Sequence, residues 1–346
     1  MKIFVTGGAG FIGSNFVRHV LALGQNHRVV NYDKLTYAGN LANLESVAAD
    51  PNYSFVRGDI CDGAAVSEAM SGCDVVVHFA AESHVDRSIY EPAPVVETNV
   101  TGTFVLLQVA RQSGIKKFVH VSTDEVYGDI PAGKSSDENY PLQPNSPYSA
   151  SKASSDLLVR SFMRTYGFPA VITRASNNYG PFQFPEKFIP LMITNALEDK
   201  PLPVYGDGAQ ERDWLHTEDH CRAIFAVLER GRDGEVYNIG GGHVEKNIDM
   251  IRRLLSILGK PESLISYVKD RPGHDRRYAL DSTKMNRELG WSPRIPLEAG
   301  LQQTVEWYKA NGPWLAEIRK GEYRGYYEKY YVNRDSSLRA ISNIAG

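Results

Sequence analysis

The chain opens on a short apolar run, Lys2 to Thr6, that stops at a turn of glycines and then enters an amphipathic helix. Gly7, Gly10 and Gly13 recur at three-residue spacing in TGGAGFIGS, and Phe16, Val17, Val20 and Leu21 mark the apolar stripe that follows. A buried strand, a glycine turn and a helix in that order commit the chain to a parallel α/β layer. Parallel strands need a crossover to bring the next one alongside, and helices to cover both faces. Glycine also lets a diphosphate sit against backbone N–H groups at the helix start. Arg28 to Asp33 reads as the second strand. Asp33 lies twenty residues beyond Gly13, where a carboxylate bonds an adenosine ribose and repels a 2′-phosphate, pointing to NAD over NADP.

Further apolar runs at Tyr53–Arg57, Val75–Phe79, Lys117–Val121 and Ala170–Arg174 alternate with helical patterns. They predict an α/β fold with a Rossmann-type, doubly wound parallel sheet. The carboxyl ends of such strands line the cofactor crevice. That places Asp59 near the adenine, and Ala80, Ala81 and Ser83 near the rest of the cofactor. Val95 to Ser113 reads as one long helix whose broad apolar surface includes Val96, Val100, Phe104, Leu107 and Val109. Beyond about Asn177 the alternation loosens. Helices are expected at Phe188–Leu197, Glu218–Arg230, Ile248–Leu258 and Leu297–Ala310. Extended pieces are expected at Leu202–Tyr205, Glu235–Ile239 and Tyr278–Leu280. The Ala175–Pro190 stretch is too rich in Pro, Asn and Gly for regular structure. The expected organisation is a cofactor-binding domain over 1–176, with a smaller substrate lobe over 177–315 that returns some segments to the main sheet. A tail over 316–346 carries Tyr323, Tyr326, Tyr327, Tyr330 and Tyr331, spaced for packing against the body.

A net charge of −3 over 346 residues provides no global field for nucleic acid or an anionic membrane. An anionic small substrate would need a local cluster of Lys and Arg. Three scattered cysteines fit reduced thiols in the cytoplasm, and no apolar run approaches a membrane span. The strand at Lys2 leaves no room for a signal peptide. His78, His216 and His220 show no metal-ligand spacing with acids or cysteines, so no metal is assigned.

The fifth strand feeds the stretch VSTDEVYG, which delivers the hydroxyl of Thr123 and then two adjacent carboxylates, Asp124 and Glu125. A strand ending there should point into the crevice. After a loop over Asp129–Pro147, Tyr148 and Lys152 fall four residues apart on one face of a helix. A nearby ammonium favours a phenolate, so Tyr148 can take a proton from a substrate alcohol that Thr123 also bonds. Asp124 can donate a proton near neutrality if burial and the Glu125 charge raise its pKa.

With TGGAGFIG at Thr6–Gly13, Asp33, and YSASK at Tyr148–Lys152, the chain resembles the extended short-chain dehydrogenase/reductases over residues 1–315. The runs STDEVYG, AAESHVDRS (80–88), NNYGPFQFPEKFIP (177–190) and DRPGHDRRYALD (270–281) resemble the nucleotide-sugar 4,6-dehydratases of that family. The resemblance implies a nucleoside diphosphate glucose, dTDP-glucose first, as substrate, and NAD as a cofactor regenerated each turnover. It implies substrate contacts at His84, Thr123, Asp124, Glu125, Asn177, Lys187, Phe188, Pro203, Val204, Tyr205, Arg212, Asn247, Arg271 and His274. Phe11, Ile12, Lys34, Thr36, Ile60, Thr98 and Asn178 join the cofactor set, with Tyr148 and Lys152. It also implies a homodimer through the Val95–Ser113 and Tyr148–Tyr166 helices. The alternatives are a 4-epimerase or decarboxylase on the same scaffold, from which Asp124 discriminates, and a non-catalytic NAD sensor, which would often lack the Tyr or Lys.

Overall fold

The computed structural model describes residues 1–320, so the tyrosines from Tyr323 to Tyr331 lie outside the described residues. Seven parallel strands form the central sheet: β1 (Lys2–Thr6), β2 (Arg28–Asp33), β3 (Tyr53–Arg57), β4 (Val75–His78), β5 (Lys117–Thr123), β6 (Ala170–Ala175) and β10 (Val236–Ile239). Their order is β10-β6-β5-β4-β1-β2-β3, with the reversal of direction at β1 and β4. Such a reversal opens a crevice beyond the strand ends. Successive residues of β1 alternate between two cores: Ile3 and Val5 pack with Phe16, Val17 and Ile224, and Phe4 packs with Leu106, Val159 and Phe162. Burial on both faces explains why these strands read as unbroken apolar runs.

A second layer of structure lies beside this sheet. Here β7 (Asn177–Tyr179), β9 (Glu211–His216) and β11 (Val244–Lys246) form one small sheet, and β8 (Leu202–Tyr205) pairs with β12 (Ile265–Val268). Their core joins Tyr179, Ile193, Trp214, Ile251, Leu301 and Val305. The helix Thr217–Arg230 and β10 lie beyond residue 176 in sequence, yet both pack in the main layers.

Four expectations need correction. Asn177–Tyr179 is regular after all, a three-residue strand paired with Trp214–His216. Tyr278–Leu280 is not a strand: it makes one isolated bridge, Leu280 with Ser136, and Arg277 just before it makes another with Glu211, because the segment is stitched between β9 and the 129–147 loop rather than laid along one partner. Phe79 lies just past the end of β4. The helix expected from Val95 to Ser113 starts at Pro92 and is interrupted by a π-helical turn at Glu97–Gly102 before continuing as Thr103–Gln112. A π turn inserts a residue and often marks a functional position. Here it brings Gly102 against Ile60, where a Cβ would lie 2.5 Å from Ile60 Cδ1.

The glycine turn is tight enough to be tested. Gly7 sits at φ +69°, and a Cβ on Gly13 would lie 2.2 Å from the Gly7 carbonyl oxygen. Gly13→Ala is therefore expected to push the turn open and weaken NAD binding by about tenfold or more. Titration calorimetry against wild type checks this, and unchanged affinity would contradict it.

Candidate active site

Two cavities meet beyond the strand ends and share a partition formed by Glu125, Asn177, Glu186 and Lys187. The first is long. Every residue assigned to the cofactor from sequence lines it: Gly7, Gly10, Phe11, Ile12, Gly13, Asp33, Lys34, Thr36, Asp59, Ile60, Ala80, Ala81, Ser83, Thr98, Tyr148, Lys152 and Asn178. The helix beginning at Phe11 has no side-chain cap and no acidic residue in its first turn. Its first N–H groups therefore suit an anion. Asp33 is buried and braces this turn, accepting bonds from Ala9 N (2.9 Å) and Leu35 N (2.8 Å). Its carboxylate thus preorganises the glycine turn while facing the same cavity. These features fit a dinucleotide diphosphate.

The second cavity is lined by the expected substrate residues His84, Phe188, Pro203, Val204, Tyr205, Arg212, Asn247, Arg271 and His274, besides Glu125, Asn177 and Lys187. Thr123 and Asp124 line the first cavity instead. Arg212 is buried with its guanidinium 4.3 Å from the Tyr278 ring centroid, held by the Asp275 and Glu211 carbonyls. Arg271 donates to Asp86 Oδ1 (2.6 Å), and the Tyr205 hydroxyl donates to Asp86 Oδ2 (2.8 Å). Burial works against charge on Asp86, but the Arg271 guanidinium overrides it and holds the carboxyl below the usual range. Lys187 Nζ donates to the Ser83 carbonyl at 2.5 Å, and Phe188 stacks on Trp214. Asn177 Oδ1 and Asn247 Oδ1 are buried without a hydrogen-bond partner. Buried amide oxygens in that condition are uncommon and suit a ligand donor.

Thr123 and Asp124 stand in the first cavity directly before the partition residue Glu125. Thr123 ends β5 and caps the short turn Asp124–Tyr127: its hydroxyl accepts from Glu125 N and donates to Asp124 Oδ1, both at 3.2 Å. Asp124 is 3% exposed, and its Oδ2 is unpartnered. Burial first, then the charges of Glu125 and Asp213, hold its pKa well above the usual carboxylate range, despite Arg212. Burial also raises Glu125, opposed by Arg271, Arg212 and Lys187. Adjacent carboxyls in unequal surroundings are how one site obtains an acid and a base.

Tyr148 and Lys152 lie in the helix Pro147–Tyr166, started by a Ser146–Ser149 capping box. Both are buried. The expectation that Lys152 would draw Tyr148 towards phenolate is not met in the ligand-free protein. Burial and the charges of Glu125 and Asp124 push the phenol up, while Lys152 Nζ donates to the Val121 carbonyl at 2.8 Å. Burial takes Lys152 itself down to about 8.

Sequence reasoning missed Tyr37, Ser176, Glu186 and His220 in the first cavity and Asp86 and Trp214 in the second. Asp86 and Glu186 flank motif residues His84 and Lys187, but only tertiary contact reveals them. Glu186 gathers Arg87, whose Nη2 lies 3.0 Å from its Oε2, and its carbonyl accepts from His84. Among the described residues, no cluster of His, Cys, Asp or Glu could hold a metal ion, and no helix is long and apolar enough to cross a membrane.

Residues 4–304 match the family model described as GDP-mannose 4,6 dehydratase. The chain belongs to that family of nucleotide-sugar-modifying enzymes. Within it, the chain groups with the dTDP-glucose 4,6-dehydratases. One from Shigella flexneri is 52% identical over 361 residues, covering 96% of this chain and 100% of that one. A crystal structure of the Streptomyces venezuelae dTDP-glucose 4,6-dehydratase with NAD and TYD bound matches with a TM-score of 0.90 at 53% identity, covering 92% of this chain and 100% of that chain. The Bacillus anthracis enzyme in complex with NAD matches with a TM-score of 0.87 at 48% identity, covering 92% and 99%.

Proposed function

We propose that this chain is an NAD-dependent lyase that converts dTDP-glucose to dTDP-4-keto-6-deoxyglucose. The observation that carries the reading is the adjacent carboxyl pair beside Tyr148: Asp124, buried and lining the first cavity, and Glu125, partly buried and lining both cavities. Residues 1–176 would hold the cofactor, and residues 177–315 would supply the substrate lobe, lending β10 and the helix Thr217–Arg230 back to the main layers. NAD, when bound, supplies a two-electron acceptor for carbon 4 and a donor for carbon 6. Tyr148 takes the proton from the sugar 4-hydroxyl, with Thr123 bonding the same oxygen. The resulting ketone acidifies carbon 5. Glu125 removes that proton, and Asp124 gives its own to the departing 6-hydroxyl as water leaves. A proton then returns to carbon 5. Lys187, Arg212 and Arg271 supply the positive charge that a diphosphate needs in a chain of net charge −3.

Substrate carrying deuterium on carbon 4 is expected to give product carrying it on carbon 6, with an alkali-developed chromophore for the 4-ketone. Deuterium lost to water would sink the closed cycle. A product of unchanged mass would indicate an epimerase, and turnover only of the corresponding 6-carboxylate sugar, with loss of carbon dioxide, a decarboxylase.

The same reading includes a homodimer. Val96, Phe104, Leu157 and Tyr166 are exposed on the helical segments Pro92–Gln112 and Pro147–Tyr166. Two such pairs would bury these side chains as a four-helix bundle across a two-fold axis. Sedimentation at micromolar concentration should give twice the chain mass, and a monomer would overturn this. Three free cysteines support a reducing, cytoplasmic setting.

A further inference from the structure

His220 is one of the histidines set aside above for want of metal spacing. It lies in the first turn of the helix Thr217–Arg230, is fully buried, and lines the cofactor cavity. Its Nδ1 is 2.8 Å from Asn178 Oδ1. Asn178 Nδ2 donates to the Ser176 carbonyl at 2.9 Å, which fixes the amide with its oxygen towards the imidazole. An amide oxygen only accepts, so His220 must carry its proton on Nδ1. Burial keeps the ring neutral, with its pKa down to about 3. Nε2 is then a bare lone pair, buried and without a hydrogen-bond partner. A buried acceptor left unmet costs free energy comparable to a lost hydrogen bond, so this one calls for a donor.

His220 lines the cavity, so a molecule bound there is the available source of a donor. The next residue, Cys221, packs its sulfur against the Ile12 carbonyl at the glycine turn, and Asn178 and Ser176 follow β6 beside the strand end that bears Thr123. His220 is thus tied to the strand-end segment through Asn178, while its sequence neighbour touches the glycine turn, and all of these line or border the same cavity. We propose that His220 is a cofactor-positioning residue: its Nδ1–H locks Asn178, and its Nε2 accepts a hydrogen bond from an N–H or O–H on the nicotinamide-riboside half of NAD. The inference rests on the NAD-dependent reading above. It adds a residue that discriminates between the two halves of the dinucleotide.

Two substitutions separate the parts of this arrangement. His220→Asn keeps an amide N–H where Nδ1–H stands but removes the Nε2 acceptor, and His220→Phe removes both. Binding of NAD, ADP-ribose and ADP to the full-length protein, freed of nucleotide, is measured by calorimetry. For His220→Asn, NAD is expected to weaken about tenfold, the loss of roughly one hydrogen bond, while ADP, which lacks the riboside half, binds as to wild type. Loss of NAD alone assigns the donor to the carboxamide. Parallel loss of ADP-ribose assigns it to a ribose hydroxyl. Either result supports the proposal. His220→Phe is expected to weaken NAD further, and should it fail to fold, His220→Asn decides alone. Wild-type NAD affinity in His220→Asn, or equal weakening of NAD and ADP, overturns it. Wild-type protein that binds no NAD would instead refute the cofactor reading itself.

Discussion

Tyr148→Phe is expected to lower kcat by about 10²- to 10⁴-fold, the range for loss of a positioned acid–base group, while NAD affinity stays within about twofold of wild type. The fold should tolerate the change. Tyr148 packs its ring against Val85, Val95 and Ile89, contacts that a phenylalanine keeps. What disappears is the phenol hydroxyl at the wall shared with Thr123, Asp124 and Glu125. Burial and the two carboxyls push this phenol's pKa up in the ligand-free protein, so it must lose its own proton before it can take one from the substrate. Stopped-flow turnover and calorimetry on the same variant separate chemistry from binding. Turnover at the wild-type rate would remove Tyr148 from its assigned role.

Asp124→Asn is expected to do two opposite things. It should lower the rate of water elimination by about 10²- to 10⁴-fold, since an amide cannot give a proton to the leaving hydroxyl. The ligand-free protein should nevertheless become more stable at neutral pH. The folded-state pKa of Asp124 is raised above its unfolded value by burial, Glu125 and Asp213. Between the unfolded and folded values the native state binds a proton that the unfolded state has released, so stability falls as pH rises through that window. The amide removes this penalty, and the melting midpoint should rise. In the wild type, turnover should also fall on the alkaline side as Asp124 loses its proton, and that limb should vanish in the residual activity of the amide variant. A variant both less stable and fully active would defeat the assignment.

Local chemistry made half of this molecule legible. The turn at Gly7–Gly13, the register to Asp33 and the Tyr148–Lys152 pair are short-range patterns, and all line one cavity. The small strands were not legible. β7 and β11 are three residues each, and what makes them strands is pairing with β9, far along the chain. Arg212 was singled out for its charge, whereas its burial and its place on β9 emerge only in three dimensions. Asp86 and Glu186 escaped for a related reason: each acts by holding a cation supplied by a distant segment. For Tyr148, spacing shows that a lysine is near, but not the burial that pushes the phenol the other way in the ligand-free protein.

The π-helical turn at Glu97–Gly102 works as a phase shifter. An uninterrupted α-helix would keep one angular register along its length, so side chains at either end could not be aimed independently. One additional residue rotates everything downstream by about 100°. Within the turn itself, Thr98 meets the cofactor cavity, and Asn99 ties Glu82 to Ser151. Downstream, Leu106, Leu107 and Ala110 fill the core beneath the sheet, and Phe104 is turned outward. A single rod thereby serves ligand, interior and surface, and shortening it by one residue would misdirect all three together.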